Sequence, residues 1–383
     1  MTAQVWPFPP RAEMIEILEW LTDVLRAKSA EQRFALRTAP RRTFNLTHLL
    51  SDYQYSAARA MVRAAQGGVG FLVPDWGQLV PLGAISSASE VVLGVDLSHV
   101  DMGDQALLWE SSARFEQVSI SVDSNGVTIG QVVNTYRSAR LLPLWPAHAP
   151  EGLLNSRSAG RINEVSIAMA VSENNDLSAS SYEQYRSLDV MPDCPVVGSG
   201  QFEESVAWPV SVFDNDQSVP HYIRQRSILD ERFQMRWHKF TGPEAYTLRR
   251  WLHSRRGRQK AFWISSRGRD FEPAAAVDGT TVTVYDLDGI AYLGRDQVFD
   301  IDITSMSGTS YYRRVTSTAP GGSVSGRSTV EMTIDSSLTL ALADIKRISV
   351  LRCSRFDADR LLLRHRAASG MDVQVPCIEI PEP

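Results

Sequence analysis

Glu31-Gln32-Arg33-Phe34-Ala35-Leu36-Arg37 and Asp230-Glu231-Arg232-Phe233-Gln234-Met235-Arg236 are the two runs that decide how this sequence divides. Each has an acidic lead, an Arg-Phe pair and a closing arginine. Each follows a Trp-Pro pair, Trp6-Pro7 or Trp208-Pro209, and precedes a helix signal, a glycine and an aromatic strand. Those strands open at Phe71 and Phe262, a spacing of 262 − 71 = 191 residues in a chain of 383. Two copies at half the chain length are not a solenoid, whose units run about 20–50 residues. They indicate duplication of a whole domain, and a duplicated domain without a catalytic motif points to a building part.

Composition is that of a globular protein, 43% hydrophobic and 22% charged, with length for roughly two to three domains at ~100–200 residues each. A formal net charge of −5 argues against a sequence-independent nucleic-acid binder, which needs a basic surface to release counterions. Cys194, Cys353 and Cys377 lie far apart, which fits a reducing compartment and supplies no metal or redox pair. No signal peptide is evident, and no apolar run approaches the ~20 residues needed to span a bilayer. The expectation is a protein made in the cytoplasm and soluble until it assembles, with no cofactor.

Trp6-Pro7-Phe8-Pro9-Pro10 cannot lie inside a helix, because proline removes donors. Met14, Ile17, Leu18, Leu21 and Leu25 make a helical stripe, but the corresponding Ser218-Val219-Pro220-His221-Tyr222-Ile223 reads as extended. The sequence therefore favours a hairpin turning near Lys28-Ser29-Ala30 and returning through Arg33 to Arg37. Ser51-Asp52-Tyr53-Gln54 and Thr241-Gly242-Pro243-Glu244 are capping boxes. The helices they open run through Ala57, Ala58, Met61 and Val62 to Gly67-Gly68, and through Tyr246, Leu248 and Trp251 to Gly257. Each feeds a strand, Phe71-Leu72-Val73 or Ala261-Phe262-Trp263-Ile264, and then a turn, Asp75-Trp76-Gly77 or Ser266-Arg267-Gly268.

An all-β part follows each copy. Phe115 to Val122 alternates and turns at Ser124-Asn125-Gly126; Thr281 to Tyr285 and Val298 to Ile303 alternate, with a turn at Asp286-Leu287-Asp288-Gly289 and a loop over Gly321 to Gly326. Ile162 to Val171 in one copy, and Val350 to Cys353, Asp359 to Leu363 and Val373 to Ile378 in the other, return to the first part. Asn174 to Ser181 reads as the start of a linker. The fold class is mainly β with a few short helices: two β-sandwich-plus-helix domains, each with an inserted small β-barrel. The first occupies 1–85 and 155–180 with its insert at 86–154; the second occupies 200–275 and 345–383 with its insert at 276–344.

Among catalytic signatures, H-E-x-x-H, G-x-x-x-x-G-K-[ST], G-x-S-x-G and G-x-G-x-x-G are all missing. His48, His238 and His253, beside the helix units, read as packing histidines or as bases. Asp300 and Asp302 share one strand face, either solvated or available to a cation or to acid–base work. Asp286, Asp288 and Gly289 resemble the opening of a calcium loop, without its later ligands. Arg249, Arg250, His253, Arg255, Arg256, Arg258 and Lys260 form the densest basic run. It suits a solvated helix end, a salt-bridge belt between subunits, or phosphate contact. Trp76, beside a turn glycine, is either core or an interface anchor. The candidate interface residues are thus Trp76, Arg249, Arg250, Arg255, Arg256 and Arg258.

The succession of strand, capped helix, glycine and aromatic strand resembles the tube-like domain of tailed-phage distal tail and minor tail proteins. It is carried by Glu31 to Arg37, Ser51 to Gly68 and Phe71-Leu72-Val73-Pro74, then by Glu231 to Arg236, Thr241 to Gly257 and Phe262-Trp263-Ile264. Leu141 to Pro146 followed by Glu151-Gly152 adds to it. The resemblance implies a virion protein and no enzyme: a baseplate ring component that continues the tail tube, with inserted barrels outside the ring. It implies contacts with other copies, the tail tube protein, hub and fibre proteins and the tape-measure protein. DNA would be passing cargo, and no membrane insertion is expected. Simple family members have one tube-like domain; two per chain favour a trimer with a pseudo-six-fold ring over a hexamer. The arginine run is then expected to face outward or a neighbour, not the channel. A carbohydrate-binding or glycan-cleaving protein is the alternative, suggested by the inserts, the tryptophans and Asp300/Asp302.

Overall fold

A computed structural model describes residues 3–27, 30–65, 70–123, 126–157, 161–173, 177, 182–195, 204–225, 229–286, 298–366 and 370–382. The chain is mainly β, with two α-helices among these residues. The first half contains β1 (Gln4–Val5), β2 (Glu13–Glu19), β3 (Thr22–Arg26), β4 (Glu31–Ala35), β5 (Arg41–Ser51), α1 (Asp52–Ala65), β6 (Phe71–Pro74) and β7 (Val80–Ile85). It continues with β8 (Val91–Leu93), β9 (Gln105–Ser111), β10 (Arg114–Asp123), β11 (Gly126–Ile129), β12 (Tyr136–His148), β13 (Leu153–Ser156) and β14 (Ile162–Val171). The second half contains β15 (Gln184–Tyr185), β16 (Leu188–Asp189), β17 (Glu204–Ala207), β18 (Val210–Phe213), β19 (His221–Arg224), β20 (Asp230–Lys239), α2 (Gly242–Arg255) and β21 (Phe262–Ser265). Then come β22 (Thr281–Tyr285), β23 (Phe299–Ser305), β24 (Ser310–Val324), β25 (Arg327–Ile334), β26 (Ile345–Phe356), β27 (Arg360–Arg366) and β28 (Gly370–Glu379).

The halves share one topology. β2, β5, β14 and β13 pair in that order in the first, and β17, β20, β28 and β27 in that order in the second. A helix follows β5 and β20, then β6 or β21, which pairs with the long strand β12 or β26. β1 lies parallel to β6, and Val190 beyond β16 makes a parallel bridge to Trp263 of β21. The hairpins β3–β4 and β18–β19 hold the same place in each half.

The two runs that suggested duplication are not each other's counterparts. Glu31 to Ala35 form β4, the return strand of the expected hairpin, where Phe34 is 50% exposed. Asp230 to Lys239 form the sheet strand β20, with Phe233, Met235 and Trp237 buried. Its true counterpart is β5, where Phe44, Leu46, His48 and Leu50 alternate inward. The Trp-Pro pairs part in the same way. The Trp6 backbone N–H donates to Leu72 O at 2.9 Å, the role Met191 has towards Trp263 O at 2.9 Å. Trp208 follows β17 as Trp20 follows β2.

Both helices start where the capping boxes put them. Gln54 N–H donates to Ser51 Oγ at 3.3 Å and Ser51 N–H to Gln54 Oε1 at 2.9 Å; Thr241 and Glu244 make the same reciprocal pair. α2 ends at Arg256, in the left-handed conformation with φ 53°. The first sandwich is filled by Trp6, Phe8, Phe44, Leu46, Phe71 and Trp145, and the second by Phe233, Trp237, Trp251, Phe262 and Phe356.

The inserts have their own cores, around Leu108, Ile129 and Tyr136 in one and Val284, Ile301 and Met332 in the other. The first pairs as β7-β12-β9-β10-β11-β8. The second pairs as β22-β25-β24-β23-β26, and segment 271–274 joins its two ends, with Phe271 bridged to Ile348 of β26 and Pro273 to Val284 of β22, so the pairing runs round in a circuit. β12 and β26 each begin in an insert and end in a sandwich, so each insert grows from a sandwich strand. Gly321 to Val324 belong to β24 rather than to a loop; the turn is confined to Ser325 and Gly326, both with positive φ. The expected turns at Lys28 to Ala30, Ser124 to Gly126 and Asp286 to Gly289, the stop at Gly67-Gly68 and the linker from Asn174 to Ser181 fall wholly or mainly outside the described residues.

Candidate functional site

One strand pair joins the halves. β2 runs antiparallel to β27, from Glu13 opposite Arg366 to Glu19 opposite Arg360. The sheet therefore continues as β13-β14-β5-β2-β27-β28-β20-β17. β2 is one edge of the first half, whereas β27 is the counterpart of β13, the opposite edge. The contact is head-to-tail.

Buried charge sits behind this pair. Glu16 of β2 has no exposed surface. Its carboxylate accepts from Arg42 Nε at 2.6 Å, from Arg249 Nη2 of α2 at 2.8 Å and from His365 Nε2 of β27 at 2.9 Å. Arg42 also donates to Asp75, which accepts from Gln78 Nε2 at 2.6 Å. Burial alone would push the Glu16 carboxyl up, but the Arg249 and Arg42 guanidiniums and His365 hold it well below the usual carboxylate range. Burial opposes the charge on Arg249 too, and Glu16, Asp75 and Asp101 restore it. His253, one turn along α2, has neither ring nitrogen hydrogen-bonded; burial, then the neighbouring Arg249, pushes it down to about 3.

Two further contacts lock the seam. Trp20, at the end of β2, is buried in the core of the second half, edge-on to His253 at 5.7 Å. Its backbone N–H donates to Asp359 O at 2.9 Å, and Thr22 donates through N–H and hydroxyl to the Asp359 carboxylate, both at 2.9 Å. The β3–β4 hairpin then reaches over the second half. Glu31 accepts from Arg355 at 2.6 and 2.9 Å, and Arg26 lies 3.7 Å from Asp230.

The sheet face away from the cores is mainly polar, with Leu49, Leu154 and Leu362 exposed on it. Thr43, Asn45, Thr47 and Ser166 line it in the first half. In the second, its arginines sit among acids: Arg236 with Asp372 at 2.6 Å and Arg366 with Glu13 at 3.1 Å.

The six residues singled out in the sequence are not gathered into one surface. Arg249 and Arg255 are buried: Arg249 binds Glu16, and Arg255 binds Asp189 at 2.7 Å and Ala261 O at 2.9 Å. Both contacts are within the chain, which corrects their reading as inter-subunit groups; Arg249 bridges the halves instead. Arg258 donates to Asp357 O at 3.2 Å, Arg250 lies over the Tyr246 ring, and Arg256 caps α2. Trp76 is partly buried, edge-on to Trp109 at 5.2 Å. Asp300 and Asp302 are both buried; Asp300 accepts from the Tyr185 hydroxyl at 2.8 Å, and neither side chain is open to a polymer. Sequence reading missed Glu16, Arg42, His365 and Trp20. The one available signal was the acid inside Met14-Ile15-Glu16-Ile17-Leu18.

Among the described residues no group of three or more His, Cys, Asp or Glu side chains is placed to hold a metal ion, and no helix is long and apolar enough to cross a membrane. Compared with known protein families and with curated proteins, the chain has no match in either.

Proposed function

We propose that this chain is a structural ring component of a phage tail tip, joining the tail tube to the hub and receptor-binding fibres and continuing the DNA channel. The observation that carries the reading is the head-to-tail pairing of β2 with β27 between two half-units of one topology. Among the described residues it leaves the outer edge of β13 unpaired at one end of the sheet and that of β17 at the other, the same two kinds of edge that the seam joins. Repeated head-to-tail contacts make a ring when the rotation closes. With half of those contacts inside each chain, three copies give six half-units around one axis. The polar sheet face suits a bore, because arginines neutralised by Asp372 and Glu13 grip phosphate weakly.

The resemblance to distal tail proteins supplies the setting: tail tube above, hub and fibres below, tape-measure protein and DNA passing through. Native mass spectrometry of the purified chain and immunogold labelling of virions test the two parts. Trimers and label at the tail tip are expected. A strictly monomeric chain, or one missing from virions, contradicts the proposal.

A further inference from the structure

The internal seam is a template for the contact that the chain leaves unmade. Ala147 pairs with Phe71 and Val171, and Ser354 with Phe262 and Glu379. Counting along β14 and β28 from there brings Phe44 and Phe233 to the same position. Phe44 opposes Glu16 on β2, and Phe233 opposes Glu204 on β17. Glu16-Ile17-Leu18-Glu19-Trp20 is therefore matched, residue by residue, by Glu204-Ser205-Val206-Ala207-Trp208. In the first, Leu18 and Trp20 are buried in the adjoining half. In the second, Val206 is 58% exposed and Trp208 41% exposed on a strand whose outer edge has no partner among the described residues; the Arg224 guanidinium lies 3.8 Å from the Trp208 ring centroid. Exposed apolar side chains on an edge strand are a liability unless something covers them.

The receiving side is matched as well. Trp20 sits between the end of α2 and the turn before β27, beside His253, Gly257 and Asp359. The same place on the first half, between the end of α1 and the turn before β13, is a cleft of about 370 Å³. Val62, Ala65, Phe71, Pro150 and Glu151 line it. The charges correspond on the receiving side, although Glu231 stands at the position of Arg42. Arg59 lies as far beyond the cap Ser51 as Arg249 lies beyond the cap Thr241. Asn155 and Leu363 hold one register position, opposite Val165 and Val373, and Arg157 and His365 lie two residues further on. The two basic groups that reach Glu16 from the other half, Arg249 and His365, thus have basic counterparts, Arg59 and Arg157, on the surface that Glu204 would meet; Glu204 is paired with Arg352 of its own copy and Arg157 with Asp52 at 2.9 Å, so docking would extend or exchange these pairs.

We propose that Trp208 of one copy docks into the Val62/Ala65/Phe71 cleft of a second copy, with β17 paired to β13 and Glu204 facing Arg59 and Arg157. This rests on the head-to-tail reading above and adds the residues that lock it. The β18–β19 hairpin, with Val212, Phe213 and Tyr222 exposed, would then reach over the neighbour as β3–β4 reaches over the second half.

The test uses the full chain, Trp208→Ala and Ala65→Trp, the last filling the cleft, with native mass spectrometry and sedimentation. Both variants should keep the wild-type circular dichroism, since Trp208 is 41% exposed and Ala65 is only partly buried, at the margin of the first core where the cleft opens. Each alone should associate at least about 30-fold more weakly than the wild type, the loss expected for a buried tryptophan anchor. Mixed one to one, they should form a dimer and stop there. The Ala65→Trp chain still carries the tryptophan, and the Trp208→Ala chain still carries the cleft. Wild-type assembly in either variant alone overturns the docking and leaves the head-to-tail reading standing. A wild-type chain that stays monomeric, or that forms only two-fold dimers unaffected by both changes, removes that reading and the docking with it.

Discussion

Glu16 and Arg249 are 233 residues apart in sequence, and Arg249 Nη2 lies 2.8 Å from Glu16 Oε1. Neither belongs to the half that the other does. This buried pair, backed by Arg42 and His365, ties the helix of one half-unit to the edge strand of the other. The joint between the halves is therefore built like part of a core and not like a flexible linker.

Breaking that pair should be costly. Arg249→Met or Glu16→Leu alone leaves a buried charge without its counterpart and should lower stability by about 3–5 kcal/mol. The double variant, which removes both charges, should be less destabilised than the two losses added together. Chemical denaturation of all four proteins measures this; additive losses would show that the pair is not coupled across the seam.

Acid should loosen the fold earlier than carboxylates alone require. Burial pushes His48 down to about 4 and His253 down to about 3. An unfolded histidine binds its proton near pH 6.5. Between that value and the folded one the unfolded state holds more protons, so stability falls as pH falls, by up to about 1.4 kcal/mol per pH unit for each group. The depressed Glu16 carboxyl adds a further loss below the ordinary carboxylate range. Replacing His253 with Phe should flatten the slope of stability between about pH 6 and 4. Identical slopes for wild type and His253→Phe would rule out a buried neutral histidine.

The helix starts are open to a simple check. Ser51→Ala and Thr241→Ala each remove one side of a reciprocal cap and should each cost about 0.5–2 kcal/mol. Unchanged thermal midpoints in both would argue against the caps.

The polar sheet face offers a charge test. Asp372 holds Arg236 at 2.6 Å, and Glu13 holds Arg366 at 3.1 Å. Asp372→Asn with Glu13→Gln frees both arginines and should create DNA binding that weakens steeply with salt. Gel shifts across a salt series check it; binding by the wild type as strong as by the variant would contradict a neutralised face.

Much of the fold was legible in local pattern. Alternation marked β10, β22 and β23, and the capping boxes marked both helices, because those signals depend on neighbours within a few residues. The pairing of the two copies was misread at Arg33 and Arg232, since a short Arg-Phe run does not distinguish an exposed hairpin strand from a sheet strand. The seam was the least legible part. His365 and Glu16 meet across 349 residues, and no local period reports such a contact. Arg249 drew attention as one of a basic run, whereas burial and not charge density separates it from Arg250 and Arg256.

Electron-microscopic reconstruction of the assembled chain, alone or in the tail tip, decides between the two ring arrangements. Three chains presenting six half-units around one channel are expected, with each β17 beside the β13 of the next copy and Trp208 inside its cleft. Six chains per ring with only one half-unit of each around the lumen would contradict that arrangement.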